Sequence, residues 1–313
     1  MAAPASPNAE LLMRAKEIRG RSLWQDARRR LFANRAAVVS MIILAIIATM
    51  AIFADYLSPY SYKDIDYDKI GCSPSWWTVD AEDFSMCNAG GAHWFGTDAN
   101  GRDLFVRTLY GARVSLAVGI VATMVSLVIG VIYGATAGYF GGRIDNVMMR
   151  FVDILYSLPF IFFVIILMVV FNRNFILMFV AIGAVEWLTM ARIVRGQTLS
   201  IRRREFIEAA LAAGVGTWGI LRRHVIPNVV GPVIVYVTLT IPAVILAESF
   251  LSFLGLGIQE PLTSWGVLIS DGANEMETKP WMLIFPATFM AVTLFCFNFI
   301  GDGLRDALDP KDR

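Results

Sequence analysis

Few residues in this chain have the types and spacing that chemistry needs. Histidine occurs only at His93 and His224, both outside the long apolar runs, so no histidine-built metal site can form inside those runs. There is no GxxxxGK[ST] phosphate loop, no HExxH helix and no GxSxG elbow, and no nucleophile stands in a pattern with a base. The chain itself is therefore expected to hold no catalytic residue, metal or cofactor. Two acids lie within apolar runs, Glu186 and Glu248, and charge at membrane depth is costly enough to make each a candidate for a substrate path. Glu248, beside Ser249 and near one end of its run, can face a hydrated vestibule and meet a substrate ammonium group. Glu186 lies close to Arg192 and can equally reach the membrane interface.

The elements that must position these residues are membrane spans. The chain has 313 residues, of which 57% are apolar and 17% charged, and a mean hydropathy of +0.59. Most of its charges lie in the segments between apolar runs, as in a polytopic membrane protein. The net charge of +1 says nothing about nucleic acid, and no nucleic-acid partner is expected. One run extends from Ala36 to about Phe53, and five more lie near 112–137, 147–171, 175–191, 229–251 and 282–300. Each is close to the roughly 20 residues that cross a bilayer. The expected fold is an all-α polytopic membrane protein with six transmembrane helices. Asn172 to Asn174 make a tight hairpin between the third and fourth runs. In the second, Ala122, Ser126, Gly130, Gly134 and Gly138 form a small-residue ridge that lets another helix approach closely, in this chain or in a partner. Pro159, Pro242 and Pro286 interrupt the third, fifth and sixth runs and mark either pathway-lining helices or inert kinks.

Short cytoplasmic segments retain positive charge, which sets the orientation. With the N-terminus inside, 20 of the 27 basic residues fall on the cytoplasmic side: eight before residue 36, then Arg143 and Arg150, seven from Arg192 to Arg223, and Arg305, Lys311 and Arg313. Both termini are thus expected in the cytoplasm. The division is a basic segment at 1–35, a first span at 36–54, a periplasmic loop at 55–111, a core at 112–302 and a tail at 303–313. Ser22 and Gln25 suggest a capping box for a helix through Phe32, whose Leu23, Trp24, Leu31 and Phe32 rest on the membrane face or belong to a solvated tail. The periplasmic loop is acidic and contains Cys72 and Cys87, which either close a disulfide or remain free thiols. Cys296 reads as a small core residue. Thr97 or Asp98 is expected to cap a helix entering the second run.

The segment from Glu208 to Asn228, EAALAAGVGTWGILRRHVIPN, lies between the fourth and fifth runs. Its alanine-rich start should be helical, Gly214 and Gly216 should break that helix, and a second should run from about Thr217 to His224. Pro227 is expected to close the segment. Glu208, Ala209, Ala210, three residues, Gly214, twelve residues and Pro227 make a pattern that resembles the EAA loop of permease subunits in binding-protein-dependent ABC importers. FGTDANGRD at 95–103, GARVSL at 111–116, PLTSWG at 261–266 and GDGLRDALDPKDR at 301–313 are similar to the peptide and nickel branch of that family. Within the branch, SLWQDARRRLFANRAAV, VRGQTLSIRRREFIEAA and ESFLSFLGLGIQEP resemble its oligopeptide permeases. The stretch from Cys72 to Cys87 is not part of the pattern.

The resemblance implies a type I ABC importer transmembrane domain in a bacterial inner membrane, with the coupling loop at 192–228. It implies a sister permease, two ATPase subunits that bind ATP and magnesium, and a periplasmic binding protein that delivers peptide. Glu208, Ala209, Ala210, Gly214, Val215, Gly216, Thr217 and Pro227 would then form the ATPase-coupling site. Import of dipeptides, glutathione or nickel shares these motifs. A proton-driven secondary transporter would need protonatable residues at mid-depth, and a membrane hydrolase would need a nucleophile and base that are absent here.

Overall fold

The computed structural model describes residues 23–77, 87, 92–170 and 175–308, and the elements among them are helical. Helix α1 (Leu23–Ala33) leads into α2 (Arg35–Ile52) and the single turn α3 (Ala54–Leu57). A largely irregular stretch with a 3-10 turn at Tyr67–Lys69 precedes α4 (Leu104–Phe140), α5 (Gly142–Ser157) and α6 (Phe160–Val170). Then follow α7 (Phe175–Arg202), α8 (Glu205–Ala212), α9 (Thr217–Ile220), a π turn at Leu221–Val225, α10 (Ile226–Phe253), α11 (Trp265–Asn274) and α12 (Trp281–Leu308). Among the described residues Arg35–Ile52, Leu104–Phe140, Thr217–Phe253 and Trp281–Leu308 are each long and apolar enough to cross a membrane. Helices α5 and α6 together, and α7, supply the third and fourth of the six apolar runs. The capping role read for Ser22 and the hairpin at Asn172 to Asn174 fall outside the described residues.

Helix α4 is the spine of the subunit, and its small-residue ridge packs inside this chain against α7. A Cβ added at Gly134 would lie 2.3 Å from the Ala191 carbonyl, and one at Gly130 would lie 2.5 Å from Met190 Cγ. Backbone therefore meets backbone. In lipid, where burial of apolar surface drives association little, such close approach gains dispersion contacts. Helix α10 packs on α4, α12 lies between α10 and α2, and α11 folds back over α10 and α12.

Helix boundaries follow local chemistry. Asn34 caps α2 by accepting the Ala37 N–H at 3.2 Å. Asp103, not Thr97 or Asp98, caps α4, accepting the Val106 N–H at 2.8 Å. The expected cap is displaced because Asp98 Oδ1 accepts the Asn100 and Arg102 N–H groups at 2.8 and 2.9 Å, closing a tight turn before the helix begins. The third run breaks at Pro159, where Leu158 is extended (φ −74°, ψ 132°) as a residue before proline must be. Pro242 and Pro286 lie inside unbroken helices.

Candidate functional site

The cytoplasm-expected loop between α7 and α10 is built from two short helices and one glycine turn. Glu205 and Glu208 lie in the first turn of α8, where negative charge complements the helix dipole. The helix ends in a Schellman motif: Gly214 N–H donates to the Leu211 carbonyl and Val215 N–H to the Ala210 carbonyl, both at 3.0 Å. Gly214 sits at φ +77°, a conformation that L residues adopt only with strain. Gly216 is different. It precedes α9 with ordinary dihedrals (φ −66°, ψ 159°), so its place in the turn does not depend on being glycine.

Pro227 does not close the segment. Thr217 to Phe253 is continuously helical, and the chain passes the proline through the π turn at Leu221–Val225, where Ile226 N–H donates to the Leu221 carbonyl. The wider turn relieves the clash that a proline ring makes with the carbonyl four residues back, and Asn228 Nδ2 donates to the His224 carbonyl at 2.6 Å. The second short helix is thus the first turn of α10's own span.

The two faces of this unit differ. Ile207, Ala210, Ile220, Leu221 and Val225 are buried in one cluster with Ala135 and Tyr139 of α4 and Met190 and Val194 of α7. Val215 packs against the same cluster. The opposite face presents Glu208, Ala209, Ala212, Thr217 and the large apolar side chains Leu211 and Trp218, 52% and 66% exposed. The segment that carries this apolar patch is flanked by Arg202, Arg203, Arg204, Arg222 and Arg223, and exposed patches rimmed by polar groups mark contact surfaces. The base is fastened as well. Arg195 of α7 holds Asp145 of α5 through two bonds at 2.5 and 2.7 Å, and Arg202 donates to the Phe140 carbonyl at the end of α4.

The two membrane acids occupy unlike places. Glu248 is fully buried inside the subunit, not open to a vestibule. Ser252 donates to one of its oxygens at 2.7 Å, and Ser115 of α4 reaches the other at 3.4 Å. Ser115 Oγ in turn accepts the Trp265 N–H at 3.2 Å, and Trp265 Nε1 donates to the Thr108 carbonyl at 3.1 Å. Closure of α11 over α10 encloses the carboxyl that the sequence left at a span end. Ser249 is 9% exposed and donates to Met290 Sδ at 3.3 Å. Glu186 is half-buried on α7 near Tyr236 of α10.

In the turn that leads into α4 lies an ion network that the sequence reading missed. Asp98 Oδ2 takes Arg102 Nε at 2.7 Å and Arg107 Nη1 at 3.2 Å, and Arg102 Nη1 reaches Glu260 at 2.8 Å. Burial pulls the Arg102 pKa down, but Asp98 and Glu260 outweigh it and hold the group above its ordinary value. Asp271 of α11 is exposed at the edge of this network, within electrostatic reach of Arg107. His93 Nδ1 pairs with Asp103 at 2.8 Å, Thr97 Oγ1 accepts the Cys72 N–H at 2.8 Å, and Cys72 is joined to Cys87 in a disulfide. The visible signal for the network was the opposite charges Asp98 and Arg102 four positions apart, with Arg107 five further on, just before the second apolar run. Their partner Glu260 is 158 positions away.

Residues 126–313 match the family model of the binding-protein-dependent transport system inner membrane component, and residues 22–74 match that of the N-terminal transmembrane domain of oligopeptide transport permease C. The chain is 59% identical to the oligopeptide transport system permease protein OppC of Escherichia coli K12, over 95% of this chain and 94% of that one. It is 46% identical to the dipeptide transport system permease protein DppC of Bacillus subtilis, over 93% of this chain and 87% of that one. Identity to the glutathione transport system permease protein GsiD of Pectobacterium atrosepticum is 36%, over 93% and 92% of the two chains.

Proposed function

Because the chain belongs to the family of binding-protein-dependent transport system inner membrane components, and is thus a multi-pass permease subunit of an ABC importer, we propose that its cargo is oligopeptides moved from periplasm to cytoplasm. In this reading residues 1–35, the loop at 192–228 and the tail at 303–313 face the cytoplasm, and 55–111 face the periplasm. A binding protein delivers peptide to the pore formed with a sister permease. Two ATPase subunits supply the work through bound ATP and magnesium, and this chain's part is mechanical.

The observation that carries the proposal is the two-faced loop: an outward apolar surface at Ala209, Leu211, Ala212 and Trp218 on a unit whose inward face is packed into α4, α7 and α10. An ATPase that grips the outer face moves the inner one with it. Since the helix from Thr217 runs unbroken to Phe253, displacement at the loop is carried along α10 to the Glu248, Ser115 and Trp265 junction at its far end. Glu208, Ala209, Ala210, Gly214, Val215, Gly216, Thr217 and Pro227 act together as this coupling unit. Glu248 and Ser249 serve as internal joints that carry the motion, and Glu186 remains a candidate for the substrate path.

The test joins cross-linking to uptake. Leu211→Cys should cross-link to an ATPase subunit in the assembled transporter with a yield that changes on adding ATP. Glu208→Arg should abolish uptake of labelled peptide while the subunit remains inserted. Solute movement by this subunit without any ATPase would refute the proposal. Dipeptide or glutathione uptake that competes out oligopeptide would move the cargo to those relatives' substrates.

A further inference from the structure

The outer face of α2 and α12 is concave. Between them runs a groove of about 500 Å³ lined by Arg35, Val39, Ser40, Val292, Cys296 and Phe299. Ser40 and Cys296 form its floor, each 4% exposed, while Val39 and Phe299 stay open on its rim. Exposed apolar side chains on an outer helix are ordinary in a membrane, and so are arginines beside the cytoplasmic end of a span, but here the two meet at the mouth of one groove. The charge is Arg35, the first residue of α2.

Helix formation itself does not call for a cation there. A cation in the first turn opposes the helix dipole, and Asn34 already caps this terminus. More positive charge gathers at the same end. Helix α1 packs across the end of α12, with Leu31 near Gly303, and exposes Arg28 and Arg29. From Leu23 to Arg35 the arginines are Arg28, Arg29, Arg30 and Arg35, against the single acid Asp26. Among the described residues Arg28, Arg29 and Arg35 form no ion pair with a carboxylate.

We propose that this groove holds an anionic glycerophospholipid, with an acyl chain along Ser40 and Cys296 and the phosphodiester on the Arg35 guanidinium. Arg28 and Arg29 supply the surrounding field, in the way that basic pockets between membrane helices hold acidic headgroups. In the orientation proposed above, the site opens to the cytoplasmic leaflet. A transmembrane helix of the sister subunit would fill the apolar part as well, and the cross-link described below tells the two apart.

Native mass spectrometry of the assembled transporter tests this. The detergent carries equal amounts of dioleoyl phosphatidylglycerol and dioleoyl phosphatidylethanolamine, so that only the headgroup differs. Phosphatidylglycerol should be retained in preference, and Arg35→Ala should lower its retention about fivefold, the effect of one basic residue at an anionic surface, with phosphatidylethanolamine unchanged. Arg35 is exposed and its helix is capped by Asn34, so the variant should assemble. Val39→Trp, which fills the groove and keeps every arginine, should abolish the preference as well. Equal retention of the two lipids, or phosphatidylglycerol retention untouched by Arg35→Ala or by Val39→Trp, overturns the proposal. So does an efficient cross-link from Val39→Cys to the sister subunit with no lipid retained, because a helix then covers the groove.

Discussion

Replacing Gly214 by proline should abolish peptide uptake while the subunit stays inserted and assembled. The reason is local geometry. Gly214 stands at φ +77°, and its N–H closes the turn onto the Leu211 carbonyl at 3.0 Å. Proline is held near φ −65° and has no N–H, so it loses both at a cost of about 3 kcal/mol or more. Alanine keeps the N–H, and a Cβ at this position meets nothing within 4 Å. Its penalty is therefore backbone strain alone, roughly 1–2 kcal/mol, which depopulates the ordered turn by a factor of about 5 to 30. Asparagine tolerates the left-handed region better and should fall between glycine and alanine. Gly216→Ala is the internal control. Its φ of −66° suits any residue, so uptake should stay near wild type. Labelled peptide uptake, normalised to inserted protein by blotting and to ATPase co-purification, should rank glycine, asparagine, alanine, proline at position 214. Wild-type uptake by an assembled Gly214→Pro transporter would refute the coupling unit, and equal loss from Gly214→Ala and Gly216→Ala would refute the assignment of the turn.

A further outcome follows from the Glu248 junction. Glu248→Ala leaves the Ser252 and Ser115 hydroxyls without their buried acceptor and should lower the Tm of the purified transporter, by about 1–3 kcal/mol of lost stability, whereas Glu248→Gln keeps an acceptor and should lose less; equal effects of the two would count against the junction.

The existence of the spans was legible because hydrocarbon excludes charge, so each apolar run announces itself one residue at a time. Their ends were less so. Helix α4 begins at Leu104, before the run expected from 112, because Arg107 and Thr108 are buried by protein, with Asp98 neutralising the arginine. The same contrast appears in the coupling loop. The pattern from Glu208 to Pro227 was readable as a helix, a turn and a helix, since alanine and glycine act through their own backbone preferences. That Gly214 and not Gly216 carries the left-handed residue depends on the hydrogen bonds of the closed turn.

Composition and pattern alone determined that this chain is a helical membrane protein, which segments carry its charge, and where its interrupted loop lies, because those properties are sums over neighbouring residues. Tertiary structure decided what each breaker and each buried charge does. Pro159 ends a helix, while Pro227, Pro242 and Pro286 do not, and nothing within a few residues of each distinguishes them. A proline's freed carbonyl is accommodated by whatever packs beside it, and Glu248 is closed in by Ser115 of another helix, 133 positions away. Such partners are brought together only by folding, so no local stretch of sequence contains them.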